Sequence, residues 1–143
     1  LSIGNYLDID DLQPIPENSL VMSSVPQLQI LQHADIFVTH GGMNSIQEAL
    51  YYGVPLIVVP QQMEQMINGQ RIVDLGAGIV LGDKPPFGRV TAQALHTAVN
   101  DMLANPSYRQ RANNQRQLSH DSGGYIKAVD EIEAFITLNQ PTK

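Results

Sequence analysis

The ten residues Thr39-His40-Gly41-Gly42-Met43-Asn44-Ser45-Ile46-Gln47-Glu48 constrain this chain more than any others, because they join an apolar strand to a helix through two adjacent glycines. Ala34-Asp35-Ile36-Phe37-Val38 before them reads as a buried strand. After the turn, Ile46, Ala49 and Leu50 recur at helical spacing up to Tyr52, where Gly53 serves as a C-terminal stop. Gly41 and Gly42 let the backbone turn tightly and come close to a ligand. At a helix start the N–H groups and the positive end of the dipole favour an anion, and His40, Asn44 and Ser45 add side-chain donors. The turn therefore reads as a phosphate site. Glu48, one helical turn further on, is badly placed for phosphate and well placed to accept hydrogen bonds from a ribose diol. A plain strand-helix connection, capped by Asn44 or Ser45 with Glu48 in solvent, would not need this company of polar residues.

Leu56-Ile57-Val58-Val59 is a continuous apolar run rich in β-branched residues, as expected for a strand covered on both faces. The loop Pro60-Gln61-Gln62-Met63 then leads into a helix expected to bury Met66, Ile67, Ile72 and Leu75. Gly76 and Gly78 end that helix before the strand Ile79-Val80-Leu81. Strands alternating with helices predict an α/β fold with a parallel sheet. Ligands in such sheets bind outside the carboxyl ends of the strands. The segments Thr39 to Glu48 and Pro60 to Gln65 both follow strands, so they are expected to open onto one crevice.

The flanks are less constrained. Asn5 to Asn18 is a proline-bearing connection with a helical turn near Asp10-Asp11-Leu12, followed by a short strand Ser19-Leu20-Val21-Met22 and a short helix carrying Leu28, Ile30 and Leu31. A loop containing Pro85-Pro86 runs from Gly82 to Val90. Thr91 then caps a helix with the apolar stripe Ala94, Leu95, Ala98, Val99, Met102 and Leu103. Beyond Asn105-Pro106, a polar helix presents Arg109, Arg111 and Arg116 as a solvated face. After Gly123-Gly124, a last helix is expected to bury Ala128, Val129, Ile132 and Phe135, and residues 139–143 form a frayed tail.

With 143 residues, 43% of them hydrophobic and 15% charged, the chain suits one domain with a substantial core. A net charge of -6 without a basic cluster disfavours nucleic acid, and no apolar run is long enough for a membrane span. The absence of cysteine excludes disulfides and thiolate metal sites and suits a cytoplasmic location. His33, His40, His96 and His120 lack the spacing of a zinc motif. Leu1-Ser2-Ile3-Gly4 reads as the end of a core strand with no initiator methionine before it, so the chain is expected to begin mid-domain.

In order, Val25-Pro26-Gln27, Thr39-His40-Gly41-Gly42, Asn44-Ser45, Glu48-Ala49-Leu50, Gly53-Val54-Pro55, Val59-Pro60-Gln61 and Glu64-Gln65 resemble the donor-binding signature of the UDP-glycosyltransferase superfamily, most closely its bacterial macrolide-type members. The resemblance implies the C-terminal half of a GT-B glycosyltransferase: a Rossmann-like parallel sheet flanked by helices over residues 1–138, lacking its first strand-helix unit, with the acceptor-binding domain absent. It implies transfer of a hexose from a nucleotide diphosphate sugar, by preference a UDP-sugar, to a hydroxyl of a small-molecule acceptor, with no cofactor and no metal. By position, His40 would contact the diphosphate, Gly41, Gly42, Asn44 and Ser45 would hold its oxygens, and Glu48 would bind the ribose. Val25 would meet the base edge, with Gln27 in the same box or simply capping the following helix. Glu64 and Gln65 would bind the transferred sugar, Glu64 alternatively only beginning a helix. The catalytic base is expected in the N-terminal domain, so the isolated chain is expected to be inactive. Ser24 stands where many relatives place an aromatic residue that stacks on the uracil, which leaves the base open. Two alternatives compete: a GT-B sugar-nucleotide epimerase, and a non-catalytic nucleotide-binding subunit that needs a partner chain.

Overall fold

A computed structural model describes residues 1–82, 84 and 89–139 of the chain, which divides into two units, Leu1–His33 and Ala34–Lys143. The expected prolines of the 82–90 loop and the end of the expected frayed tail lie outside the described residues.

The first unit is mostly irregular. A 3-10 helix, Ile9–Leu12, begins where the Asp8 side chain accepts a hydrogen bond from the Asp10 N–H. The expected strand at residues 19–22 is reduced to one parallel bridge between Ser2 and Met22. Leu20 and Met22 are exposed, so no apolar face drives these residues into a longer strand. The helix α1, Gln27–Leu31, buries Leu31 alone. Its N-cap position falls on Pro26, and Gln27 is its first residue.

The second unit is the α/β body. Its strands β1 (Phe37–Thr39), β2 (Leu56–Val58) and β3 (Gly78–Val80) form a parallel sheet in the order β1-β2-β3. The register pairs Phe37 with Leu56 and Leu56 with Gly78, and continues in step to Thr39, Val58 and Val80. β2 is fully buried, as a run of three branched apolar residues between two neighbours must be. β1 corrects the expectation of a buried strand: it lies at the edge of the described sheet, and Val38 is 45% exposed.

Alternation along the strands assigns one face to each flanking layer. Ile57 and Ile79 point to the helix α4 (Ala92–Ala104) and pack with Ala98, Met102, Leu95 and Val99. Thr91 caps that helix through a 3.1 Å bond from the Ala94 N–H, as its sequence predicts. Ala94 and Leu103, expected in the stripe, are exposed instead. On the opposite face Val58 and Val80 meet the helix α3 (Met63–Asp74) at Gly69, where no side chain intervenes. α3 buries Ile72 but leaves Ile67 exposed, contrary to expectation, because Ile67 lies away from the sheet-facing Gly69 and Ile72.

The helix α2, Met43–Tyr51, and α3 end alike. The Gly53 N–H bonds to Leu50 O and the Val54 N–H to Ala49 O, while Gly76 and Ala77 repeat the pattern onto Val73 and Ile72. This pair of bonds requires a left-handed residue, which Gly53 supplies at φ +70°. The buried Val54 and Ala77 then lead directly into β2 and β3.

The helix α5, Ser107–Asp121, packs on α2 and overturns one expectation. Arg109 is not on a solvated face. Its guanidinium donates to Gly53 O at 3.2 Å, to Ala34 O at 3.0 Å and to the Asp35 carboxylate at 2.9 Å. It thus ties the end of α2 to the entry of β1. Asp35 is exposed, so the carbonyl bonds matter more than the ion pair. The helix α6, Gly124–Leu138, follows, and it buries none of its residues among the described ones. Ala128, Val129, Ile132 and Phe135 are therefore exposed where burial was expected, since α6 meets only the polar α5 to any extent.

Arg109→Ala should cost about 1–3 kcal/mol of stability, because two half-buried carbonyls lose a charged donor. Arg111→Ala, two residues along, should stay within about 0.5 kcal/mol. Urea unfolding of the two variants checks this difference.

Candidate functional site

The glycine turn lies at the carboxyl end of β1, between Thr39 and the first residue of α2. Thr39 is buried, and its hydroxyl accepts a 3.3 Å bond from the Gly41 N–H. Gly41 takes φ +91°, and a Cβ there would stand 2.6 Å from Val58 Cγ1 and 3.1 Å from the Gln65 carbonyl oxygen. The turn is therefore seated directly on β2 and against α3, with no space for a side chain. Gly42 is the N-cap of α2, in place of the Asn44 or Ser45 cap of the simpler reading, and it offers no side-chain capping bond. That leaves the opening turn of α2 as an amide-rich surface. A Cβ on Gly42 would lie 2.7 Å from His40 Nε2, so the His40 ring folds over the head of the helix.

His40 and Asn44 are exposed, and Ser45 and Glu48 are half-buried. Asn44 and Glu48, four residues apart, share one face of α2. The positive dipole end, an imidazole and two short polar side chains thus converge at one helix head, with a carboxylate one turn below.

The second strand-end segment reaches the same turn. α3 starts after Gln62 and carries Glu64 in its first turn. The Gln65 side-chain oxygen accepts a 2.7 Å bond from the Gln61 N–H, which fixes the amide orientation. Its NH2 group can still donate, and the oxygen keeps a second lone pair. Asn68 donates to Gly41 O at 3.1 Å and to Glu64 Oε1 at 3.4 Å. The two segments meet at the turn: Asn68 bonds both Gly41 O and Glu64, and Gly41 lies against Gln65. Val25 and Gln27 belong to the first unit, with Val25 and Gln27 half-buried and Ser24 exposed within it.

Asn68 was missed by sequence reasoning. Its spacing of four from Glu64 was available as a helix-face pair, but its bond to Gly41 spans 27 residues and depends on how α3 sits on the sheet. Among the described residues no three histidine or acidic side chains are grouped to hold a metal ion, and no helix is long and apolar enough to cross a membrane.

The architecture is found in solved glycosyltransferases of the GT-B class. The calicheamicin glycosyltransferase CalG4 aligns with a TM-score of 0.85 at 32% identity, over 98% of this chain and 34% of that one. The glycosyltransferase of kitacinnamycin aligns with a TM-score of 0.82 at 38% identity, over 93% of this chain and 33% of that one. The family described as erythromycin biosynthesis protein CIII-like, C-terminal domain, matches residues 5–123, and the chain belongs to it. NDP-glycosyltransferase YjiC of Bacillus subtilis (strain 168) is 40% identical over 136 residues, 95% of this chain and 34% of that protein. Demethyllactenocin mycarosyltransferase of Streptomyces fradiae is 35% identical over 137 residues, 96% of this chain and 29% of that protein. The chain thus spans about a third of the length of these relatives and corresponds to their C-terminal domain.

The two glycines should respond differently to substitution. Gly41→Ala forces a methyl group into Val58 at a positive φ and should cost about 1–3 kcal/mol. Gly42→Ala keeps an ordinary backbone, so its stability should change by less than about 1 kcal/mol while the His40 ring is pushed aside. Thermal unfolding, with the imidazole NMR signals of His40, distinguishes the two.

Proposed function

We propose that this chain is the donor-binding domain of a glycosyltransferase that moves a hexose from a nucleotide diphosphate sugar, a UDP-sugar by resemblance, to a hydroxyl of a small-molecule acceptor. One observation carries the reading: the His40 ring lies over the glycine-capped head of α2, and Glu64 and Gln65 are tied to that same turn. The diphosphate would rest on the first-turn amides of α2, with His40, Asn44 and Ser45 as further donors. Glu48, on the Asn44 face, would accept from the ribose hydroxyls. Glu64 would accept from one sugar hydroxyl and the Gln65 amide, which both donates and accepts, would pair with another, so that a sugar with the wrong hydroxyl arrangement is penalised. Val25 and Gln27 enter this proposal through the resemblance alone.

In the reaction, the acceptor oxygen bonds to the anomeric carbon as the bond from that carbon to the β-phosphate oxygen breaks. The electron pair leaves with the nucleotide diphosphate, and the acceptor proton passes to a base that the resemblance assigns to the N-terminal domain. Negative charge grows on the leaving group, where the helix-head amides and His40 stabilise it electrostatically without a metal. The names of the relatives, all transferases of sugars, favour this reading over the epimerase and the non-catalytic subunit. A cytoplasmic setting belongs to the same proposal.

Calorimetric titration with UDP should detect binding that survives EDTA. His40→Ala should weaken it by about 1.5–3 kcal/mol, the worth of a hydrogen bond to a charged group. Glu48→Ala should instead erase the preference for UDP over its 2'-deoxy counterpart. Strict magnesium dependence, or parent-like binding by both variants, would contradict the assignment.

A further inference from the structure

Asn68 stands on α3, one turn after Glu64, and its single NH2 group reaches in two directions. One bond goes to the half-buried carbonyl of Gly41 at 3.1 Å, and a longer one goes to Glu64 Oε1 at 3.4 Å. Its position is set by the neighbouring residue. A Cβ on Gly69 would lie 2.8 Å from Val80 Cγ2 and 3.0 Å from Val58 Cγ1, so α3 can approach the sheet this closely only where the side chain is missing. Gly41 rests on the same Val58 methyl group. Turn and helix are thus seated on one buried residue, and Asn68 is the polar strap between them.

An amide is suited to this task in a way that other side chains are not. It is neutral, so it can approach the Glu64 carboxylate without forming an ion pair that competes with a ligand, and its two hydrogens serve two acceptors at once. We propose that Asn68 is a positioning residue that fixes the Glu64 carboxylate relative to the Gly41 turn, so that the sugar and diphosphate ends of a nucleotide sugar are read in one geometry. This rests on the donor-site reading above. Asn68 acts through Gly41 and Glu64, and it selects the sugar without itself having to touch it.

The test compares UDP-glucose with UDP by calorimetry in the parent, Asn68→Ala, Asn68→Asp, Glu64→Ala and the Asn68→Ala/Glu64→Ala double variant, with melting temperatures for each. Asn68→Ala should weaken UDP-glucose roughly tenfold while weakening UDP by less than about threefold. The affinity ratio of the two ligands should no longer respond to Asn68→Ala once Glu64 is alanine, because the coupling runs through that carboxylate. Asn68→Asp should be at least as damaging at neutral pH, where a new carboxylate faces Gly41 O and Glu64. It should recover in mild acid, when the protonated carboxyl again donates to Gly41 O, and Asn68→Ala should show no such recovery relative to the parent. Equal losses of both ligands together with a lowered melting temperature would overturn the proposal and leave a structural role. A parent-like ratio in both Asn68 variants, with Glu64→Ala still weakening UDP-glucose more than UDP, would overturn the Asn68 role alone. A parent that binds neither ligand would overturn the donor-site reading and this inference with it.

Discussion

The contact on which the rest of this structure depends is the one made by the Val58 side chain. It lies on the central, fully buried strand of the described sheet, and two glycines from different segments press on the same methyl group. Gly41 brings the turn after β1 onto it, and Gly69 brings α3 onto it. Interiors pack at near-crystalline density, so a methyl group held on two sides defines a distance rather than a tendency. The separation between the head of α2 and the first turn of α3 is set in this way by apolar packing, and Asn68 and Gln65 then decorate it with polar groups. The two segments can be held in register without any strong pairwise bond.

The polar chemistry is simple once that spacing exists. One segment supplies donors and a dipole end, which suit an anion; the other supplies a carboxylate and an amide, which suit hydroxyl groups. Gln61 contributes through its backbone N–H, which donates to the Gln65 side-chain oxygen and orients the amide. Arg109 supports the site from a distance. By holding the Gly53 and Ala34 carbonyls it fixes the far end of α2 against the start of β1, the two elements that the glycine turn connects.

Much of the second unit was legible in the sequence because its signals are local. β2 announces itself as a branched apolar run, Gly53 and Gly76 mark helix ends, and Thr91 marks a helix start, each through bonds made within a few residues. The glycine turn was legible for the same reason. What escaped was non-local. The sequence of α5 cannot reveal that Arg109 meets carbonyls more than fifty residues away. Nor can periodicity tell what lies against an apolar stripe: α6 has the stripe, yet Val129, Ile132 and Phe135 are exposed among the described residues. The edge position of β1 and the single bridge at Met22 were missed because strand formation depends on neighbours that the pattern of one segment does not specify. Asn68 combines both cases, since its pairing with Glu64 is local and its bond to Gly41 is not.

The central claim is that the glycine-capped head of α2 seats a diphosphate. Backbone amide NMR during titration with UDP tests it most directly, because each amide reports on its own surroundings. The account predicts the largest shift changes at residues 41–45 and in the His40 ring, with smaller ones at residues 64 and 65. Unchanged signals there, with changes gathered instead at the first-unit pocket that Leu12, Ile15 and Leu20 help to line, would contradict it.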